Sequence, residues 1–355
     1  MMQFFILGRN PELSREEIIS YLNARAKAHK EILFKKNYLI LDLNTEVNIQ
    51  ELGGVIKSGN IEFSGNQKEF GNFIEKNDLT EKEKFTYSII GNIEEDYFID
   101  KFKQEKRKAI IRRGRKSLKI QREDAVALTN ADIEFFAYEE EVFFFGKVNQ
   151  TYSYKEQEKR DMNKPVRRAE LAISPRLAKI LINLSGAKQG DLILDPFCGI
   201  AGILQEALLM NIDCIGIDVD KRAIENAKRN LQYIKNNYKF TASYKLINQD
   251  SRKAPDKQFD AIATESSLGK LVKKSPNDNE AKQIIQEFEY NIIQILQRLR
   301  NIKKAKAKIA ITFPFIRNRS VDLEKIQYQT RLKLLTSVKE YREEQFIGRE
   351  ILVFN

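Results

Sequence analysis

The residues best placed to do chemistry are Asp195-Pro196-Phe197-Cys198-Gly199-Ile200-Ala201-Gly202, between an apolar run, Asp191 to Asp195, and a helical pattern, Ile200 to Met210. Glycine directly after a strand lets the backbone approach a ligand closely, and the helix start behind it offers unpaired N–H groups. Asp218 closes the next apolar run, Cys214 to Asp218, where a carboxylate can accept two hydrogen bonds from ribose hydroxyls. Asp250 lies just past a third run, Tyr244 to Asn248, in position to accept from an adenine exocyclic amine. Three acids at three successive strand ends describe an adenosine-shaped site.

Two cofactors share that shape. The dinucleotide fingerprint G-x-G-x-x-G is absent, only Gly199 and Gly202 standing in the turn, and Asp195 would sit badly beside a pyrophosphate. A sulfonium cation with a free amino group is attracted by that acid, so S-adenosyl-L-methionine fits better than NAD. A dinucleotide-dependent oxidoreductase stands as a third reading. Taken singly, Asp195 could serve the turn, and Asp218 and Asp250 could cap helices.

The elements that must hold these residues form an alternating pattern. Strands at 191–195, 214–218, 244–248, 259–265 and 308–313 are separated by helical stretches at 200–210, 221–235 and 279–299, and a strand at 348–354 follows a variable region. Such alternation predicts a mainly parallel, doubly wound sheet with ligands at its carboxyl edge. Toward the start, strands at 2–8, 37–43, 85–91 and 141–148 alternate with helices opened by Ser14 and at 49–52 and 96–107. The polar segment 151–168, with Pro165 near its end, reads as a linker.

Composition narrows the partners. The 355 residues suit two or three domains, and a formal charge of +11 attracts polyanions, nucleic acid first. Between Lys101 and Lys119 ten basic residues meet one acid, Glu105. Ile110, Ile111 and Leu118 interleave with these cations, so the run reads either as a phosphate-contacting surface or as a solvated face. Two cysteines in apolar stretches, Cys198 and Cys214, point to a reducing compartment, the cytoplasm. A single histidine, His29, in a basic stretch read as helical, removes most zinc and Ser-His chemistry. No metal, secretion signal or membrane span is expected, and an accessory subunit is not indicated.

The ordered set of DPFCG at 195–199, Ser174-Pro175-Arg176-Leu177-Ala178 and Asn183-Leu184 before it, and Gly348-Arg349-Glu350-Ile351 at the end resembles the tRNA guanosine-10 N2-methyltransferases and their RNA methylase relatives. Leu7-Gly8-Arg9-Asn10-Pro11-Glu12-Leu13-Ser14 is similar to the opening of that family's ferredoxin-like domain, and Arg160-Asp161 with Lys164-Pro165 to its linker. The resemblance implies an α/β chain: a ferredoxin-like domain at 1–60, a THUMP RNA-binding domain at 61–150, a linker at 151–168 and a Rossmann-like methyltransferase domain at 169–355. It also implies that Asp195, Phe197, Gly199 and Gly202 wrap the methionine part of S-adenosyl-L-methionine, Asp218 the ribose and Asp250 the adenine. Lys106, Arg107, Lys108, Arg112, Arg113, Arg115 and Lys116 would then hold RNA, most simply tRNA.

Two departures stand out. Ile200-Ala201 replaces the family's Thr-Gly, removing a hydroxyl donor and adding bulk. At the end of the fourth strand the family has Asp/Asn-Pro-Pro-Tyr; here stands Glu265-Ser266-Ser267-Leu268. In the family motif an acceptor and a rigid prolyl carbonyl orient the exocyclic amine, and the aromatic stacks on the extruded base. Glu265 keeps an acceptor, Ser266 and Ser267 lose the prolyl stiffness, and Leu268 loses a stacking face worth about 1–3 kcal/mol. Glu265 and Ser266 are therefore the candidate catalytic pair for methylating a guanosine exocyclic nitrogen in tRNA. The alternative is a catalytically degenerate RNA-binding relative.

Overall fold

The computed structural model describes residues 1–113, 129, 131–167, 173–266, 276–317, 319–340 and 346–355. Two compact units emerge, one of residues 1–11, 27–50 and 55–152, the other of residues 12–26, 51–54 and 153–355.

In the first unit short apolar runs become strands β1 (Met2–Leu7), β2 (His29–Lys35), β3 (Tyr38–Leu43), β4 (Val55–Gly65), β5 (Lys84–Gly91), β6 (Lys108–Ile111), β7 (Ile133–Glu139) and β8 (Phe143–Thr151). They form one sheet in the order β2-β3-β1-β4-β8-β7-β5-β6. Side-chain alternation divides its core. Phe135 and Ala137 of β7 and Phe143 and Phe145 of β8 pack with Phe70, Phe98 and Phe102, whereas Phe136, Tyr138 and Phe144 join Phe4, Ile6 and Ile40. Phe98 and Phe102 lie on the helix Asp96–Gln104, and Phe70 on the helix Gln67–Lys76, opened by a capping box between Asn66 and Glu69.

Several expectations are corrected here. His29 opens a strand and lies in no helix. Ser14 lies inside α1 (Pro11–Ala24) rather than at its start, because the helix already begins at Pro11, whose fixed φ suits a first helical position. The boundary expected at residue 60 falls inside β4, which pairs with β1 on one side and β8 on the other. A continuous hydrogen-bonded sheet thus runs through both expected N-terminal regions.

The second unit holds the expected doubly wound sheet. Its strands are β9 (Leu192–Asp195), β10 (Asp213–Asp218), β11 (Tyr244–Asn248), β12 (Ala261–Glu265), β13 (Ile309–Ile316), β14 (Leu334–Glu340) and β15 (Ile347–Phe354), ordered β11-β10-β9-β12-β13-β15-β14. The pairs from β11 to β13 are parallel; β15 runs antiparallel to both its neighbours. Alternation again feeds both faces. Ile193, Ala261 and Ala263 pack with the helices Pro175–Leu184, Gly202–Leu209 and Lys221–Asn237, while Leu194 and Ile262 pack with the long helix Asp278–Ile302 and the helix Leu323–Thr330.

Residues 151–168 are more than a linker, since they carry the helix Tyr154–Asn163, and the variable region before the last strand contains a helix and β14. The second unit also recruits most of α1. Glu17, 0% exposed, accepts from the backbone N–H of Gly53 and Gly54, both at 2.7 Å, and from Asn183 Nδ2 at 2.8 Å. A buried carboxylate with three donors ties residues far apart in sequence into one unit.

Candidate functional site

After β9 the chain moves to β10 on one side of the sheet, and β12 lies on the other. A crevice therefore opens outside the carboxyl ends of β9 and β12, where the winding reverses. Asp195 and Glu265 are the last residues of those strands.

Asp195 is 2% exposed, and its Oδ1 accepts from the Thr264 hydroxyl at 2.6 Å and from the backbone N–H of Phe197 at 3.1 Å. Burial pushes its carboxyl up to about 7, against those two bonds; the charges of Asp218 and Glu265 push the same way. Asp195 on β9 thus feels the acids that end β10 and β12, a field suited to a cation.

The loop after β9 is shaped by backbone conformations that L-residues seldom take. Gly199 sits at φ +52°, and a Cβ there would meet nothing nearer than Phe197 O at 4.0 Å, so the glycine faces open space. Ala201 takes the same left-handed region at φ 70° as the residue capping the helix Gly202–Leu209. Ala201 therefore holds with strain the conformation that a glycine adopts freely. At Gly202 a Cβ would lie 2.6 Å from Ile173 Cγ2, so a side chain there would require Ile173 to shift.

Asp218 at the end of β10 holds the loop, its Oδ2 accepting from the Gly199 N–H and its Oδ1 from the Asp220 N–H, both at 2.9 Å. Each carboxylate oxygen keeps a lone pair for a ribose hydroxyl. The next residue, Val219, is 75% exposed, an apolar face at the sheet edge that the sequence reading missed. Asp250 is differently engaged. It caps the short turn Ser251–Lys253, and the Arg252 guanidinium donates to both its oxygens, holding the carboxyl below its usual range. An adenine amine there would share an acceptor already paired with a cation. Ser251, whose hydroxyl donates to Pro196 O, ties this turn to the β9 loop.

Glu265 Oε1 accepts from Arg349 Nε at 2.6 Å, with both side chains largely buried. Burial raises the Glu265 carboxyl, Arg349 opposing. Ser266 is 2% exposed and donates to the Thr312 carbonyl, which anchors the residue directly after β12 to β13. Ser267 and Leu268 lie outside the described residues. Thr264 and Arg349 escaped the sequence reading as site residues; the one signal for Arg349 was the charged pair Arg349-Glu350 in an otherwise apolar closing strand. Cys198 and Cys214 are buried free thiols whose pKa burial raises, which disfavours a thiolate role.

The basic run divides. Lys106, Lys108 and Arg112 are exposed at or beside β6, the edge strand. Arg107 instead binds Glu105, Asp78 and the Lys82 carbonyl, and Arg113 pairs with Glu95. Arg115 and Lys116 lie outside the described residues. Among the described residues no group of three His, Cys, Asp or Glu could hold a metal ion, and no helix is long and apolar enough to cross a membrane.

A doubly wound sheet ending in a reversed hairpin, with acids round its switch point, defines a Rossmann-like methyltransferase fold. The same fold is seen in TrmN from Thermus thermophilus, at a TM-score of 0.56 and 12% identity over 100% of this chain and 99% of that one. A possible methylase from Clostridium difficile 630 matches with a TM-score of 0.50 and 11% identity over 99% and 97%. Residues 163–298 match the RMKL-like methyltransferase domain. The chain belongs to the DNA methylase family, whose model matches residues 8–229, more than half its length.

Its resemblance to tRNA guanosine-10 N2-methyltransferases is borne out by relatives. The tRNA (guanine(10)-N2)-dimethyltransferase of Methanothermobacter thermautotrophicus is 40% identical over 118 residues, 33% of each chain. That of Pyrococcus abyssi is 29% identical over 167 residues, 46% of this chain and 44% of its own. This chain spans a third of the length of the first relative and under half of the second.

Proposed function

We propose that this protein is an S-adenosyl-L-methionine-dependent RNA methyltransferase that modifies the exocyclic N2 of a tRNA guanosine. The observation that carries the reading is the field that Asp218 and Glu265 exert on the buried Asp195 at the switch point of the sheet. Such a field favours a sulfonium cation over a pyrophosphate, and the open space at Gly199 suits close approach of a ligand to backbone. When bound, the cofactor supplies a methyl group activated by positively charged sulfur.

The chain's own residues then have distinct tasks. Asp195 meets the cationic methionine part, Asp218 accepts from the ribose, and Asp250 contributes at the adenine end alongside Arg252. Phe197 and Val219 provide apolar surface. Glu265 accepts a hydrogen of the exocyclic amine and aims its lone pair, while Ser266 anchors the chain directly after it to β13. Transfer from a sulfonium needs alignment more than acid-base power, which a single well-held acceptor supplies.

RNA is gripped through residues 61–150, acting as a THUMP-type module whose exposed Lys106, Lys108 and Arg112 meet phosphates. The reaction needs no metal, and two free buried thiols fit work in the cytoplasm.

Incubation with tritiated S-adenosyl-L-methionine and unmodified tRNA transcripts, followed by nucleoside mass spectrometry, tests the reading. N2-methylated guanosine is expected. Tight binding of cofactor and tRNA with no label transferred would overturn it in favour of an RNA-binding relative without turnover.

A further inference from the structure

The Arg349–Glu265 pair has a geometry that a merely structural ion pair does not need. β15 is separated from β12 by β13, so the Arg349 side chain crosses a whole strand at the carboxyl edge to reach Glu265. It touches one oxygen only, through Nε. The other, Oε2, has no hydrogen-bond partner among the described residues. Among the described residues, the charged groups acting on Glu265 are Arg349 from β15 and Glu340 from β14, and Glu265 in turn acts on Asp195 of β9, so that Arg349 is the cation in this described set of acids.

We propose that Arg349 is the positioning residue of the base pocket: by binding Oε1 it holds Glu265 as a carboxylate with Oε2 presented to the target base. This rests on the methyl-transfer reading and deepens it with a substrate preference. An ionised carboxylate only accepts, whereas a protonated one also donates. Guanine presents two adjacent donors, N1–H and the N2 amine, to such an acceptor. Adenine presents its N6 amine beside the N1 lone pair, and cytosine its N4 amine beside the N3 lone pair; either lone pair would face the carboxylate. Arg349 thereby makes the pocket select guanine. Without Arg349, burial beside Glu340 and Asp195 favours the neutral acid, which offers one acceptor fewer and a proton where guanine N1–H points.

The test measures kcat/KM on a tRNA transcript across pH for wild type, Arg349→Met, Arg349→Lys, Glu265→Gln and the Glu265→Gln/Arg349→Met double variant. Affinities for S-adenosyl-L-methionine and tRNA are measured alongside. Arg349→Met should lower kcat about tenfold or more near neutral pH and move the acidic limb of the profile upward by about one pH unit, cofactor affinity unchanged. Arg349→Lys should restore the limb, and in the Glu265→Gln background removing Arg349 should cost nothing further. A limb that stays in place in Arg349→Met, or an activity that rises because the pair had blocked Glu265, overturns the proposal. Should Arg349→Met fail to fold, an equal loss from Arg349→Lys in wild-type and Glu265→Gln backgrounds overturns it as well. Wild type that binds both ligands and transfers nothing sinks the methyl-transfer reading itself, a result distinct from an unmoved limb.

Discussion

Replacing Asp195 with asparagine perturbs the site where its electrostatics are most legible. The carboxyl is 2% exposed, and burial raises it from an ordinary 3.8 to about 7. Between those values it is protonated in the fold and ionised in the unfolded chain. The fold therefore binds more protons, and stability falls as pH rises from about 4 to about 7. At about 1.36 kcal/mol per tenfold in proton affinity, the interval amounts to on the order of 4 kcal/mol, fully lost above about pH 7.

Asparagine does not titrate, yet keeps an acceptor for Thr264 and for the Phe197 N–H. Urea unfolding of the two proteins should diverge in the variant's favour between about pH 4 and pH 8, by up to that amount. A cationic ligand reverses the preference, since it selects the ionised acid. Wild-type affinity for S-adenosyl-L-methionine should therefore climb with pH toward about 7, with proton release visible by calorimetry in two buffers of different ionisation enthalpy, and the asparagine variant should show neither. Stability curves that stay parallel across the range, together with binding that releases no proton, would refute the burial argument.

Asp218→Ala removes the acceptor for the Gly199 N–H and for the ribose, and should weaken cofactor binding about tenfold to a hundredfold by calorimetry; an unchanged Kd removes the ribose role. Ala201→Gly relieves a left-handed alanine and should stabilise the protein by about 1 kcal/mol, seen as a raised Tm; a lowered Tm contradicts the strain. Converting the exposed Lys106, Lys108 and Arg112 together to glutamine should reduce the salt slope of tRNA binding by about 0.7–0.9 per lost phosphate contact, and an unaltered slope returns these residues to the solvated surface.

The C-terminal sheet was legible because each strand there is a short apolar run feeding a helix of clear period. DLILD, CIGID and YKLIN all form strands within a residue of expectation. The N-terminal region was read less well. β4 contains Lys57, Ser58, Gly59 and Asn60, polar or small residues that look like loop, yet Lys57 and Ser58 are almost wholly buried because β1 and β8 flank them. Likewise His29 and Lys30 belong to a strand because β3 pairs with them, a preference that local composition does not carry.

At the site, chain order alone determined that acids close successive strands, since strand ends follow from where apolar runs stop. It also marked the glycine turn and the departure at Glu265. Only the tertiary structure decided what two of the acids face: Thr264 on Asp195, and Arg349, arriving from the last strand, on Glu265. Sheet order places β15 beside β13, and β13 beside β12, although more than 80 residues separate Arg349 from Glu265 in the chain. Charge and hydrogen bonding act over a few ångströms of space, and sequence distance does not measure that space.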